Sequence, residues 1–269
     1  MNRALGIQIF LAVTGIIAAT LLSLATRNAL LPEVPGEAPR EAPQIKPDFT
    51  SFTDVNAKKQ AFFDYLLPGV RNANDEVLEQ RQQILAWQQA FAEGALSSRQ
   101  QSRLEAMAEH YEIDPSLGTE EKLELLLRRV DIVPASLALA QAAKESGWGT
   151  SRFSRLGNNY FGQWCFSEGC GLVPNRRAAG ASHEVRVFET VEEAVGAYIH
   201  NLNTHPPYRE LREIRAELRD QGHISGVEVA RGLSRYSERG PVYIGEIQSL
   251  IRFNDLTELD RPIGNSTPE

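Results

Sequence analysis

The sequence predicts a mainly α-helical fold (α+β) that carries one small β-hairpin lobe, and three observations support this. Apolar residues recur at helical spacing over most of Asp54 to Asn254. Only the stretch from Leu172 to Phe188 alternates as strands do, around a turn of Arg, Ala and Gly. From Pro134 the residues Leu137, Ala138, Leu139, Ala140, Ala142 and Ala143 are apolar on nearly every side, which describes a helix buried all round.

Taken in order, the chain opens with an uncharged run from Ala4 to Ala25, long enough at about 1.5 Å per residue to cross a bilayer. Arg3 and Arg27 flank it, and the positive-inside rule favours a cytoplasmic start with the remainder exported. Residues 1–27 therefore read as an inner-membrane, single-pass anchor. The competing reading is a signal peptide, since Ser23 and Ala25 fit a small-x-small cleavage pattern. Both readings place the rest of the chain in the periplasm or cell envelope. Residues 28–53 follow as a linker, in which Pro32, Pro35, Pro39, Pro43 and Pro47 recur among Glu, Ala and Gln. Such a composition favours extended, polyproline-like conformations.

Residues 54–130 read as a helical N-terminal subdomain with three apolar stripes. They are Val77, Leu78, Ile84, Leu85, Phe91 and Ala92, then Leu104, Met107, Ala108 and Tyr111, then Leu123, Leu126, Leu127 and Val130. These stripes need a partner surface, and residues 131–258 supply it. Beyond the hairpin, Thr190-Val-Glu-Glu193 is a capping box for a helix whose apolar face carries Val191, Ala194, Val195, Tyr198 and Leu202. Further helices are expected at 208–219, 226–235 and 242–254, and residues 259–269 as a flexible tail.

The segment Ala142 to Ser151, Ala-Ala-Lys-Glu-Ser-Gly-Trp-Gly-Thr-Ser, puts one carboxylate where the buried helix ends, before a Gly-Trp-Gly turn. On a helix Leu137, Gln141, Glu145 and Trp148 stack along one face, which sets the carboxylate beside an aromatic wall. Desolvation there raises its pKa, and an acid protonated near neutral pH can donate to a leaving oxygen, as in glycosidic bond cleavage. The alternative is that Glu145 only caps or salt-bridges the helix end. The following segment, Leu156-Gly-Asn-Asn-Tyr-Phe-Gly-Gln-Trp164, brings a second Gly-bounded aromatic turn towards the first, and two such turns near a carboxylate suggest a sugar cleft.

Lys144-Glu-Ser-Gly-Trp-Gly-Thr-Ser151, Asn158-Asn-Tyr-Phe-Gly162, the strand at Val185 to Phe188 and the Glu-Glu-Ala helix after it together resemble the bacterial N-acetylglucosaminidases of glycoside hydrolase family 73. Their domain is described as mannosyl-glycoprotein endo-beta-N-acetylglucosaminidase-like. Gln163-Trp-Cys165 and Gly169-Cys-Gly-Leu-Val-Pro174 are most similar to the membrane-anchored Bax-type proteins of that group. The resemblance covers roughly residues 132–256. It implies a lysozyme-like helical catalytic domain at 131–258, peptidoglycan strands as substrate, and Glu145 as general acid. It also implies a second carboxylate in the hairpin lobe, where the acids are Glu184, ranked first, and Glu168. This sequence departs from the family's usual hairpin pattern, so neither matches residue by residue, and a route assisted by the substrate's own 2-acetamido oxygen stays open. By the same resemblance Tyr243, with Tyr236 near it, faces the cleft, the alternative being a core aromatic of the final helix. Trp148, Tyr160 and Phe161 are candidates to stack on sugar rings, Asn159 and Gln163 to bind the substrate, and Trp164 to pack under the cysteines.

Cys165 and Cys170 are the only cysteines and lie close together, which in an exported chain reads as a disulfide closing a tight loop. No metal or other cofactor is implied, because His110, His183, His200, His205 and His223 are scattered and no His-Glu-x-x-His occurs. With 269 residues, 42% of them hydrophobic, the chain can bury a sizeable core. A net charge of -7 and no basic stripe argue against a nucleic-acid partner. The sequence names no protein partner.

Overall fold

One buried helix organises the architecture, and the others are laid around it. The computed structural model describes residues 45–175, 177 and 180–260. The expected anchor or signal segment, 1–27, lies outside the described residues, as do 261–269. Among the described residues no helix is long and apolar enough to cross a membrane.

Helix α1 (Val55–Ala92) is capped by Asp54, whose carboxylate accepts the amides of Asn56 and Ala57. At 38 residues it spans about 57 Å. It is followed by α2 (Ser98–His110), with a Ser97–Gln100 capping box, and by α3 (Thr119–Arg129). Helix α4 (Ala135–Ser146) buries nearly every residue, and its alanines let α1 and later helices approach closely on all sides. Short α5 (Arg152–Gly157) leads to strands β1 (Trp164–Cys165), β2 (Gly171–Leu172) and β3 (Glu184–Arg186). They form an antiparallel sheet in the order β1-β3-β2, with Cys165 opposite Glu184 and Leu172 opposite Val185. Helices α6 (Val191–Thr204), α7 (Arg209–Asp220), α8 (Gly226–Val229) and α9 (Pro241–Phe253) complete the body, with 3-10 turns at Pro206–Tyr208, Ala230–Leu233 and Leu256–Leu259. The fold is mainly helical with one small sheet, the class the periodicity predicts.

The helical stripes of 54–130 and the residues after 131 share one hydrophobic core, in which Phe62, Leu66 and Ile84 of α1 join Leu137, Ile199 and Ile247. A polar node ties the same halves together. Arg215 of α7, completely buried, donates to the carbonyls of Arg128 and Arg129 at the end of α3 and to those of Asp131 and Ile132. Its fifth partner is Asn203 Oδ1, at 2.6 Å. A guanidinium at a helix C-terminus meets unpaired carbonyls and the negative end of the dipole together. Asp131 beside it pairs with Arg219 and Arg81, and the charge of Arg215, with those of its two partners, holds its pKa below the ordinary carboxylate value despite its burial.

Four expectations need correction. The linker 28–53 ends earlier than its prolines suggest, because Phe49 is buried and packs edge-on against Phe62 and Tyr65. Lys46 is held there too, by the Ser154 carbonyl and by Asn158 Oδ1 at 2.8 Å. The tail of 259–269 starts later, since Asp260 accepts the Ser136 amide and hydroxyl at 2.9 and 2.7 Å and the Gly226 amide at 2.9 Å, capping α4 and α8 together. In α1 the buried stripe runs through Val77, Ile84 and Trp87, whereas Leu85 and Phe91 are exposed, because beyond Ile84 only one side of the helix has neighbours. Trp164 does not pack under the cysteines but stands exposed on the edge strand, its ring stacked on His183 at 4.2 Å.

Gly149, at φ 75°, has no room for a Cβ, which would be driven into the Phe49 ring. The segment 46–53 is thus a strap fitted against the turn that ends α4. Phe49→Ala should lower unfolding free energy by about 3–5 kcal/mol in urea titration, as a buried aromatic in a core does. A value within experimental error of zero would show that the strap is not part of the folding unit.

Candidate active site

Helix α4 ends because Gly147, Trp148 and Gly149 all take left-handed backbone conformations, at φ 58°, 59° and 75°. Ser146 locks the turn, its hydroxyl donating to the Ala142 carbonyl at 2.6 Å and accepting the Gly149 amide at 2.8 Å. A positive φ is costly for a tryptophan, and packing holds it there. Its ring meets Phe62 and Phe63 edge-on at 5.7 and 5.4 Å, and Lys59 lies over its face. Trp148 is half-buried against α1, so the aromatic wall expected beside Glu145 is built from other residues.

Glu145 occupies the last turn of α4, where the all-round burial stops and one side of the residue meets solvent. The Tyr243 hydroxyl of α9 donates to its Oε1 at 2.8 Å. Tyr243 is itself bonded to Gln141 Nε2 at 3.0 Å, and Gln141 Oε1 accepts from Tyr198 of α6 at 2.6 Å. Tyr236 stacks on Tyr243 at 5.4 Å and 13°, donates to the Phe161 carbonyl at 3.0 Å, and neighbours Tyr208 at 5.8 Å. Desolvation raises the pKa of Glu145, opposed by the Tyr243 hydrogen bond and by Lys144. Burial, with the negative field of Glu145 adding to it, raises the pKa of Tyr198, Tyr208, Tyr236 and Tyr243, so these phenols stay protonated hydrogen-bond donors. Beside the pair, Lys144 contacts Glu246 at 2.5 Å and Arg239 grips the same carboxylate with both terminal nitrogens.

Across from Tyr243, Glu145 Oε2 faces the turn at Gly162, where an ideal Cβ would stand 3.9 Å away. Gly162 adopts φ 69° and is exposed, so this side of the carboxylate is lined by backbone and is open. The arrangement can hold a carboxylic acid by one oxygen while its other oxygen presents a proton to a bound molecule.

The other expected substrate contacts distribute differently. Tyr160 and Phe161 are buried in the core: Tyr160 lies against Phe62 and Tyr65, and Phe161 stacks on Tyr198 at 4.0 Å. Neither can stack on a sugar, because the Asn-Asn-Tyr-Phe-Gly turn faces inward. Asn159 staples that turn, donating to the carbonyls of Gln163 and Arg186 and accepting the Gln163 amide. The Gln163 side chain donates to the Ala194 carbonyl. Gln163 and Trp164 also line a cavity of about 570 Å³ beside α1 and α6 that Glu145 does not border.

Cys165 and Cys170 form a disulfide. Glu184, buried on β3, accepts the Gly169 amide at 3.2 Å through one oxygen and the Gly171 amide at 2.8 Å through the other. Both oxygens are turned into the disulfide loop, which corrects its expected place as the second catalytic carboxylate: it holds the loop. Glu168 sits exposed on that loop. Cys165, Cys170 and Glu184 are the one cluster of metal-ligating side chain types among the described residues, and its sulfurs are spent on the disulfide.

Sequence reasoning assigned no role to Gln141, Tyr198 or Tyr208 at the acid. The available signal for Gln141 was a lone amide four residues before Glu145 in a helix otherwise of Ala and Leu. Tyr198 sits on an apolar helix face, and nothing local marks Tyr208.

A helical body, a small sheet lobe and a solvent-facing Glu145 bonded to Tyr243 make up the site, and its class, a glycoside hydrolase acting on glycan, comes from the family match. Residues 121–256 match the family model of the glucosaminidase domain, described as mannosyl-glycoprotein endo-beta-N-acetylglucosaminidase, and the chain belongs to that family. It is 35% identical over 201 residues to Protein bax of Escherichia coli (strain K12), covering 73% of this chain and 70% of that protein. No solved structure matches it.

Glu184→Ala should speed hydrogen exchange at the Gly169 and Gly171 amides and lower stability by about 1–3 kcal/mol, since two partly buried donors lose their acceptor. Unchanged exchange at those amides would contradict the loop-holding role.

Proposed function

We propose that the protein is a peptidoglycan hydrolase, an endo-beta-N-acetylglucosaminidase that cuts the glycosidic bond after N-acetylglucosamine with Glu145 as general acid. The observation that carries the reading is the environment of Glu145. Glu145 meets solvent at the end of a buried helix, yet partial burial of its carboxyl raises its pKa, and the group is held through Oε1 by Tyr243 and open through Oε2. In the step proposed, Glu145 gives its proton to the bridging oxygen, which leaves as an alcohol with the electron pair of the broken C–O bond. Water supplies hydroxide to the sugar carbon and the proton that restores the acid. Glu184 is engaged by the loop amides, so the reading gives the second role to the substrate's 2-acetamido oxygen or to a water held by other groups.

The uncharged run from Ala4 to Ala25 and the prolines after it support a protein tethered to the inner membrane with its catalytic body in the periplasm. The match of residues 121–256 to the glucosaminidase family supports the glycan-cleaving part of this reading.

Digestion of sacculi followed by mass spectrometry of the released fragments tests the specificity. A new N-acetylglucosamine reducing end is expected, whereas a muramic or 1,6-anhydro end would replace the reading with a muramidase or a lytic transglycosylase. Glu145→Gln should lower turnover by about 10²–10⁴-fold with its melting temperature retained, because the amide oxygen can still accept from Tyr243. Equal turnover in the two proteins would sink the assignment. If both are inert yet both pellet with sacculi, the protein is a wall-binding scaffold instead.

The pH dependence follows from the raised pKa of Glu145. The acid must be protonated to act, so kcat/KM should hold through the range where ordinary carboxylates ionise and fall as pH rises through the higher folded value. An alkaline limb at an ordinary carboxylate pKa would show that Glu145 is not the donor.

A further inference from the structure

The bonds behind Glu145 form a directed chain. Tyr198 donates to Gln141 Oε1, Gln141 Nε2 donates to the Tyr243 oxygen, and Tyr243 donates to Glu145 Oε1. A phenol has one proton to give, while an amide has a donor end and an acceptor end that exchange when it turns over. Tyr198 occupies the acceptor end of Gln141, which leaves the donor end facing Tyr243. With its oxygen lone pair engaged by that N–H, the Tyr243 hydroxyl proton has one partner, Glu145. Gln141 is completely buried in a helix whose neighbouring positions are alanine and leucine, and both of its polar atoms are spent on this chain.

We propose, resting on the reading of Glu145 as the acid, that Gln141 and Tyr198 are positioning residues. They aim the Tyr243 hydroxyl at Oε1, so that the proton given to the leaving oxygen is carried by Oε2, the oxygen that faces Gly162.

Tyr198→Phe removes the group that fixes the amide. Gln141 can then turn its oxygen to Tyr243 and draw that hydroxyl away from Glu145. A carboxylate that loses a donated hydrogen bond holds its proton to higher pH. The alkaline limb of kcat/KM against pH should therefore move up by about one unit in Tyr198→Phe, as a hydrogen bond to a charged group implies. It should move in the same direction in Gln141→Met and in Tyr243→Phe.

The decisive comparison is the double variant. Because Tyr198 acts through Tyr243, adding Tyr198→Phe to Tyr243→Phe should leave the limb where Tyr243→Phe alone puts it. A limb unmoved by Tyr198→Phe and Gln141→Met, with only the melting temperature lowered, would show a purely structural role and overturn the inference. So would shifts that add in the double variant. If Tyr198→Phe does not fold, the Gln141→Met and Tyr243→Phe pair, alone and combined, decides in the same way. Failure of the acid reading is distinguishable, because it appears as full activity in Glu145→Gln. Failure of this inference leaves Glu145→Gln inactive and the limb of the relay variants in place.

Discussion

A helix surrounded on all sides can present chemistry only where it stops, and α4 is such a helix. Its alanines allow α1, α8 and α9 to close in around it, so that solvent reaches it only in the last turn, at Lys144 and Glu145. Both ends are made by distant parts of the chain. Asp260 supplies the acceptors that the first turn lacks, and the left-handed run at Gly147, Trp148 and Gly149 is supported by α1 and the Phe49 strap. The buried Arg215 does the equivalent work at the end of α3, satisfying carbonyls from two segments with a single side chain. The body is held by polar groups placed where backbone would otherwise be orphaned, inside an apolar core that could not solvate them.

Around Glu145 the polar groups are phenols, and this matters electrostatically. A phenol in a dry setting donates a hydrogen bond without carrying a charge, so Tyr243 steadies the carboxylate and only partly offsets the rise in its pKa that burial causes. Lysine in Tyr243's place would hold the acid ionised. The one nearby cation on the helix, Lys144, is instead paired with Glu246, which is in turn gripped by Arg239. Charge at the mouth is largely paired with charge, and the acid's one hydrogen-bond donor, Tyr243, is neutral.

Much of this was legible in the sequence, and the rest was hidden for physical reasons. Helical periodicity, the alanine run and the Gly-Trp-Gly stop located α4 and its acid, since each is a local property of backbone and burial. The pair Cys165 and Cys170 is likewise local. The inward packing of Tyr160 and Phe161 was not legible, because a Gly-bounded aromatic turn looks the same whether it faces a ligand or the core. Phe49 was obscured by prolines and Asp260 by a polar tail, and each is ordered through contacts with residues far along the chain. Glu184 had the right residue type in the right lobe. Only the direction of its oxygens separates a catalyst from a staple.

The fit of Phe49 against Gly149 joins two regions that the sequence keeps apart. The strap lies directly behind the turn that supports Glu145. Because the Phe49 ring and the turn behind the acid are fitted to each other, an extension inserted between Lys46 and Asp54 would disturb the footing of Glu145 although it lies about a hundred residues away in the chain.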